Sequence, residues 1–291
     1  MRSLLFVPAD SPKKLDKGMT SGADALIVDL EDSIAPDGKA RARDSAAAFL
    51  KEVSAAASRP YLVVRINGLH SGLTDADLDA IAPARPDAIM LPKAEGGAAV
   101  VHADAKLAVR EAAAGLPDGH IKIVPIATET AAALFLAGTF AGASARLSAL
   151  TWGAEDLSAE LGAETNRDVD GHYLDPYRLA RALCLAGAAA AGVPAIDTVS
   201  IDFRDSEGLR RDCSAARRDG FSAKLAIHPA QVSIINEVFT PTPEAIAQAK
   251  AIVDAFAANP GAGTLGIGGV MADQPHLRRA QRVVARARSK H

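Results

Sequence analysis

Ala25-Leu26-Ile27-Val28-Asp29-Leu30-Glu31-Asp32 is the stretch that decides the fold. It opens as an unbroken aliphatic run of strand length and then switches abruptly to carboxylates. An unbroken run, unlike an alternating one, is how a parallel strand buried on both faces reads. Outward from it, similar short runs recur at 3–8, 61–66, 88–91, 121–126, 147–151, 198–201 and 223–227. Between them the periodicity turns helical, most clearly at 40–55, 98–114, 131–137 and 177–191. Eight strands alternating with helices predict an α/β fold of the (β/α)8 TIM-barrel type, with a doubly wound open sheet as the alternative. No Gly-x-Gly-x-x-Gly follows the first strand, so a dinucleotide-binding unit has no support.

The chain continues beyond the eighth run. Residues 229–239 read as the last barrel helix, Pro241-Thr242-Pro243 as a stiff break and 244–258 as an amphipathic helix. A loop at 259–263, a turn at Gly266-Ile267-Gly268-Gly269 and a basic helix at 274–289 complete it. The expected organisation is a catalytic barrel over 1–240 and a C-terminal helical and loop extension over 241–291 that packs on a neighbouring subunit or covers a site.

Composition narrows the function. The 291 residues carry a formal net charge of −3, which offers no basic footprint for nucleic acid. Two cysteines are too few for a disulfide framework or a Cys-rich metal site. The opening apolar run is too short for a secretory leader, and nowhere do about 18 apolar residues run unbroken. The expectation is a cytoplasmic globular protein with no nucleic-acid or membrane partner.

The ends of the runs carry the chemistry. They terminate at Asp10, at Asp29-Leu30-Glu31-Asp32, at Arg65-Ile66-Asn67, at Lys93, at Thr128-Glu129, at Glu155-Asp156, at Asp202 and at His228. In a barrel these ends converge on one mouth, where active sites of this fold sit. Glu129 and Asp156 close adjacent strands, so their carboxylates can share one cation, and oxygen ligands without nearby His or Cys suit Mg²⁺. The alternative for Asp156 is a helix N-cap. Glu31 and Asp32 can bind the waters of such an ion. Arg65 fits bidentate capture of a substrate carboxylate, or else a structural ion pair with Asp29 or Glu31. Lys93 is either a Schiff-base lysine or an ion-pairing one, and a crowd of acids that keeps it charged favours the second. His228 is as well explained by structure as by catalysis. Lys14, in Lys13-Lys14-Leu15-Asp16-Lys17, either holds the phosphates of an extended ligand or lies on a solvated helix face. Trp152 reads as packing.

Taken in order, these words resemble the citrate lyase β-subunit-like branch of the HpcH/HpaI aldolase superfamily. The resemblance is carried by Leu5-Phe6-Val7-Pro8-Ala9-Asp10, Asp29-Leu30-Glu31-Asp32-Ser33, Val64-Arg65-Ile66-Asn67, Leu91-Pro92-Lys93, Thr128-Glu129-Thr130, Trp152-Gly153-Ala154-Glu155-Asp156-Leu157, Ala226-Ile227-His228-Pro229 and Gly268-Gly269-Val270-Met271-Ala272-Asp273. The chain departs from the expected pattern at Ser33 and Ala272.

The resemblance implies a Mg²⁺-dependent (β/α)8 lyase, with Mn²⁺ as a substitute, that cleaves or condenses β-hydroxyacyl-CoA thioesters into acyl-CoA and a keto acid. It implies Glu129 and Asp156 as metal ligands, Arg65 and Asp273 as catalytic residues, and Arg65, Lys14, Ala154 and Glu155 as substrate-binding positions. It also implies a homo-oligomer, a trimer or hexamer, in which Asp273 reaches the neighbouring subunit's site. Two other readings stand beside it: a citrate lyase β subunit acting on an acyl-carrier protein, and a non-catalytic barrel subunit.

Overall fold

The computed structural model describes residues 1–56 and 58–288. The strands β1 (Ser3–Pro8), β2 (Ala25–Asp29), β3 (Tyr61–Arg65), β4 (Ala88–Leu91), β5 (Lys122–Pro125), β6 (Leu150–Thr151), β7 (Ala195–Asp197) and β8 (Ala223–Ala226) form one parallel sheet. Their order is β5-β4-β3-β2-β1-β8-β7-β6. The two outer strands meet through isolated parallel bridges, Ile123 to Leu147 and Ile126 to Thr151, which close the sheet into the expected (β/α)8 barrel.

Side chains alternate across the barrel wall. Leu4, Ala25, Ile27, Val63, Met90, Ile126, Ile196 and Leu225 belong to one buried cluster inside the barrel. Their neighbours, such as Leu26, Val28, Leu62 and Val64, are equally buried beneath the helices. Burial on both faces explains why the strands read as continuous apolar runs.

The helices of the barrel unit are α1 (Pro12–Met19), α2 (Lys39–Val53), α3 (Thr74–Ile81), α4 (Gly96–Ala113), α5 (Ala131–Leu136), α6 (Glu155–Glu160), α7 (Asp175–Ala191), α8 (Ser206–Asp219) and α9 (Pro229–Phe239). Their buried residues follow helical spacing, as with Ala42, Ala46, Phe49 and Leu50 on α2. No described helix is long and apolar enough to cross a membrane.

The seventh strand differs from expectation. It is Ala195–Asp197, three residues before the run at 198–201. Asp197 is a buried wall residue whose carboxylate lies 3.0 Å from Lys224 Nζ on β8 and accepts the Trp152 indole N–H at 2.8 Å. A strand of three residues that ends on a charge leaves no apolar run to read. Ile201 is exposed instead, and Asp202, expected at the mouth, is exposed and does not line the main cleft.

The chain divides into two compact units, Met1–Asn236 and Glu237–His291, the second described to 288. The second unit contains α10 (Pro243–Ala258), β9 (Thr264–Ile267), β10 (Val270–Asp273) and α11 (Gln274–Arg288). The expected basic helix matches α11, although Ser289 lies outside the described residues. The turn at Gly268-Gly269 joins β9 and β10 as an antiparallel hairpin, a pairing the sequence reading did not include. Both glycines have positive φ, +58° and +82°, as a tight two-residue hairpin turn requires.

Candidate active site

The apolar interior of the barrel gives way to charge at the C-terminal ends of the strands. Along β2, Ala25 and Ile27 face inward and Asp29 follows them; along β3, Val63 faces inward and Arg65 follows. The parallel register sets Asp29 directly beside Arg65. The guanidinium grips Asp29 in a fork, Nε to Oδ1 and Nη2 to Oδ2, both at 2.7 Å. Its third nitrogen stands 3.0 Å from Glu31 and 3.2 Å from Asp32, and the group lies over the Phe6 ring. Burial pushes the Asp29 carboxyl up, but the Arg65 hydrogen bonds and charge outweigh this and hold it below the usual carboxylate range. Of the two readings of Arg65, the ion pair with Asp29 and Glu31 is realised, and the residue also lines the cleft.

Glu31 is buried between two cations. Oε1 accepts from Lys93 Nζ at 2.7 Å, while Oε2 has no aligned hydrogen-bond donor although Arg65 stands 3.0 Å away. Burial raises the Glu31 carboxyl despite both cations. The loop that carries it is tethered by Lys39, whose ammonium donates to the carbonyls of Leu30 and Glu31 at 2.7 Å and to Asn67 Oδ1 at 2.8 Å. Nothing in the spacing singled out Lys39, because two of its three partners are backbone oxygens.

Glu129 is buried and accepts the backbone N–H of Lys93 at 2.5 Å. Burial, with the Asp156 carboxylate close by, pushes its carboxyl up to about 8. Gly153 makes room for it: a Cβ there would stand 2.7 Å from Glu129 Cγ. Asp156 lies within the first turn of α6, whose N-cap is Ala154 with no side-chain cap, so the capping alternative is not realised. Its Oδ1 is instead 3.2 Å from Lys93 Nζ. Burial pulls the Lys93 ammonium down, but Glu31, Glu129 and Asp156 more than reverse this and keep it charged. Lys93 is thus the ion-pairing lysine.

Arg65, Asp32, Glu129, Ala154, Glu155 and Asp156 share one cleft of about 450 Å³, with Glu31 behind it. Glu155 accepts from Asn166 Nδ2 at 2.8 Å. Lys14 is exposed on α1 and does not line the cleft. His228 stacks on Phe203, and its Nδ1 accepts the Ala230 N–H. Asp273 ends β10 in the second unit. His276 Nδ1 lies 2.6 Å from its carboxylate and holds it below the usual range.

The carboxylates at the mouth outnumber the cations, one Glu31 oxygen lacks an aligned donor, and burial with the nearby Asp156 charge raises the Glu129 carboxyl. An oxygen-only donor pair in that state fits a hard divalent ion. Asp168, Asp170 and His172 form another acidic grouping, but all are exposed, and Asp168 accepts amides of its own loop.

Residues 2–229 match the model of the HpcH/HpaI aldolase/citrate lyase family. The chain belongs to that family. It is therefore a carbon–carbon lyase of the aldolase type. It is 34% identical to the mitochondrial citramalyl-CoA lyase of Rattus norvegicus, covering 99% of this chain and 86% of that one. It is 36% identical to the (3S)-malyl-CoA thioesterase of Cereibacter sphaeroides, covering 98% of this chain and 94% of that one. Among solved structures, protein CitE from Mycobacterium tuberculosis in complex with magnesium, acetoacetate and coenzyme A superposes with a TM-score of 0.78. That protein is 33% identical, and the match covers 98% of this chain and 97% of that one.

Proposed function

We propose that the chain is a divalent-metal-dependent lyase that cleaves, or in reverse condenses, a β-hydroxyacyl-CoA such as malyl-, citramalyl- or hydroxymethylglutaryl-CoA. The observation that carries this reading is the shared cleft of Glu129, Asp156 and Arg65, in which carboxylate charge is in surplus. Glu129 and Asp156 would hold Mg²⁺, or Mn²⁺ in its place. When bound, the ion would supply Lewis-acid stabilisation of negative charge on the oxygens of a keto acid.

The remaining work falls to the chain itself. Arg65, fixed by its fork on Asp29, presents a rigid positive charge that binds a substrate carboxylate and steadies negative charge on the carbinol oxygen. The cleft size suits the reacting end of the thioester, leaving the nucleotide portion of CoA outside. We assign the base to Asp273, which His276 keeps ionised. In condensation its carboxylate takes a proton from the acyl-CoA methyl group, the resulting enolate carbon attacks the keto carbon, and the new alkoxide takes a proton from solvent water. Cleavage starts from the protonated form of Asp273: the β-hydroxyl loses its proton to solvent water and the C–C bond breaks. Its electrons pass to the thioester enolate, which recovers a proton from Asp273. A homo-oligomer that brings Asp273 to a neighbouring copy's mouth completes the proposal.

The test is an assay of malyl-, citramalyl- and hydroxymethylglutaryl-CoA with Mg²⁺ and with EDTA, reading acyl-CoA and keto acid. Mg²⁺-dependent appearance of both products is expected. Free CoA with the hydroxy acid intact would identify a thioesterase. Turnover confined to citryl-acyl-carrier protein would identify a citrate lyase β subunit. If none of these is turned over, the proposal fails.

A further inference from the structure

Lys93 touches both carboxylates assigned to the divalent ion, yet the reaction as proposed gives it no step. Its backbone N–H donates to Glu129, and its ammonium reaches Asp156 at 3.2 Å and Glu31 at 2.7 Å. It does so with φ at +52°, a conformation shared among described non-glycine residues only by Arg85. A β-carbon makes that conformation unfavourable, so it marks a constraint. The left-handed backbone turns the amide toward Glu129 while the side chain runs to the opposite carboxylates. The side chain is 40% exposed, whereas Lys224 in the barrel wall is 1% exposed. An ammonium on a flexible, half-open stem can move into water without leaving a charge buried.

We propose that Lys93 is a resident counter-ion for the cation site. Its ammonium compensates Asp156 and Glu31 in the absence of a divalent ion, and it gives up Asp156 when the ion binds. This rests on the assignment of Glu129 and Asp156 as ligands. The ammonium stands on Asp156 Oδ1, and a divalent ion on either oxygen of that carboxylate would meet like-charge repulsion from it, so divalent binding includes the displacement of an ammonium. The Glu129 contact is to the backbone and persists through the exchange. Glu31 keeps the displaced ammonium close, ready to return when the ion leaves.

The experiment measures Mn²⁺ binding to the purified, EDTA-stripped full chain by the EPR signal of free Mn²⁺. Lys93→Met removes the charge and retains the bulk of the side chain and the amide. It is expected to bind Mn²⁺ about tenfold more tightly, the weight of one relieved charge contact at a partly exposed site. Lys93→Asn, a residue suited to the left-handed backbone, repeats the test should the methionine variant fold poorly. Unchanged or weaker binding in the folded variants overturns the proposal. Asp156→Asn separates the two assignments. If that variant binds Mn²⁺ as the wild type does, the ligand assignment falls and the counter-ion role falls with it. If it loses binding while Lys93→Met shows no tightening, only the counter-ion role falls.

Discussion

Glu129 and Asp197 are buried to the same degree, each 3% exposed, yet their protonation is pushed in opposite directions. Burial raises both. At Asp197 the charges of Lys224 and Arg181, with the Trp152 and Lys224 hydrogen bonds, outweigh it and hold the carboxyl below its usual range. At Glu129 the nearest strong influence is another carboxylate, Asp156, and the result is a carboxyl near 8. In the wall, each acid has its cation: Lys224 and Arg181 serve Asp197, and Arg181 also reaches Asp219 at 2.6 Å. At the mouth, Asp29, Glu31, Asp32, Glu129 and Asp156 share Arg65 and Lys93. A matched buried network holds a wall together; a surplus of acid facing a cleft leaves charge to be supplied from outside.

The comparison breaks most visibly in turnover. Asp156→Ala, or Glu129→Gln, is expected to lower Mg²⁺-dependent cleavage about 1,000-fold or more, since a bound ion contributes several kcal/mol at about 1.4 kcal/mol per decade. Initial rates at saturating thioester give the answer, and a loss below tenfold would contradict the ligand assignment. In the wall the cost is stability. Lys224→Met removes the nearer of two cations from a buried carboxylate and should cost up to about 3–5 kcal/mol in urea unfolding, with the rate per folded molecule nearly unchanged. An unfolding midpoint equal to wild type would show that Asp197 does not depend on its cation.

The smallest effect is in the pH dependence of the metal-free chain. Folded Glu129 keeps its proton up to about 8, whereas the unfolded carboxyl releases it near 4.5. Between those values the folded state binds more protons, so its contribution to stability declines as pH rises and levels off beyond. In EDTA, the thermal midpoint should fall by about 3 °C between about pH 6 and about pH 8.5. Saturating Mg²⁺ should flatten the slope. A midpoint that rises with pH in EDTA would reverse the assigned sign.

Much of this was legible beforehand, for a physical reason. Parallel strands buried on both faces leave unbroken aliphatic words, and their polar last residues reach the mouth whatever the loops do. So Arg65, Glu129 and Asp156 could be placed from spacing. What spacing does not carry is pairing between distant charges. Asp197 ends a strand of only three residues and its partner Lys224 is a whole β/α unit away, so the seventh strand was read three residues late. The φ of Lys93 and the room that Gly153 leaves for Glu129 are likewise properties of the folded backbone, invisible in a word such as Leu91-Pro92-Lys93. Asp273 shows the opposite limit: a resemblance can suggest a role, yet its observed partner is His276, three residues along the same segment.

A ring is only as stiff as its loosest joint, and in this barrel the joint lies between β5 and β6. Elsewhere neighbouring strands share continuous ladders; here isolated bridges join them. Glu129 and Asp156 rise from the two sides of that joint. A ligand gripping both would act as a clasp as well as a chemical group, reinforcing a closure that the isolated bridges already make. The amides of Ile123 and Ala127 donate across the joint to the carbonyls of Arg146 and Thr151, and their hydrogen exchange reports whether the clasp is fastened.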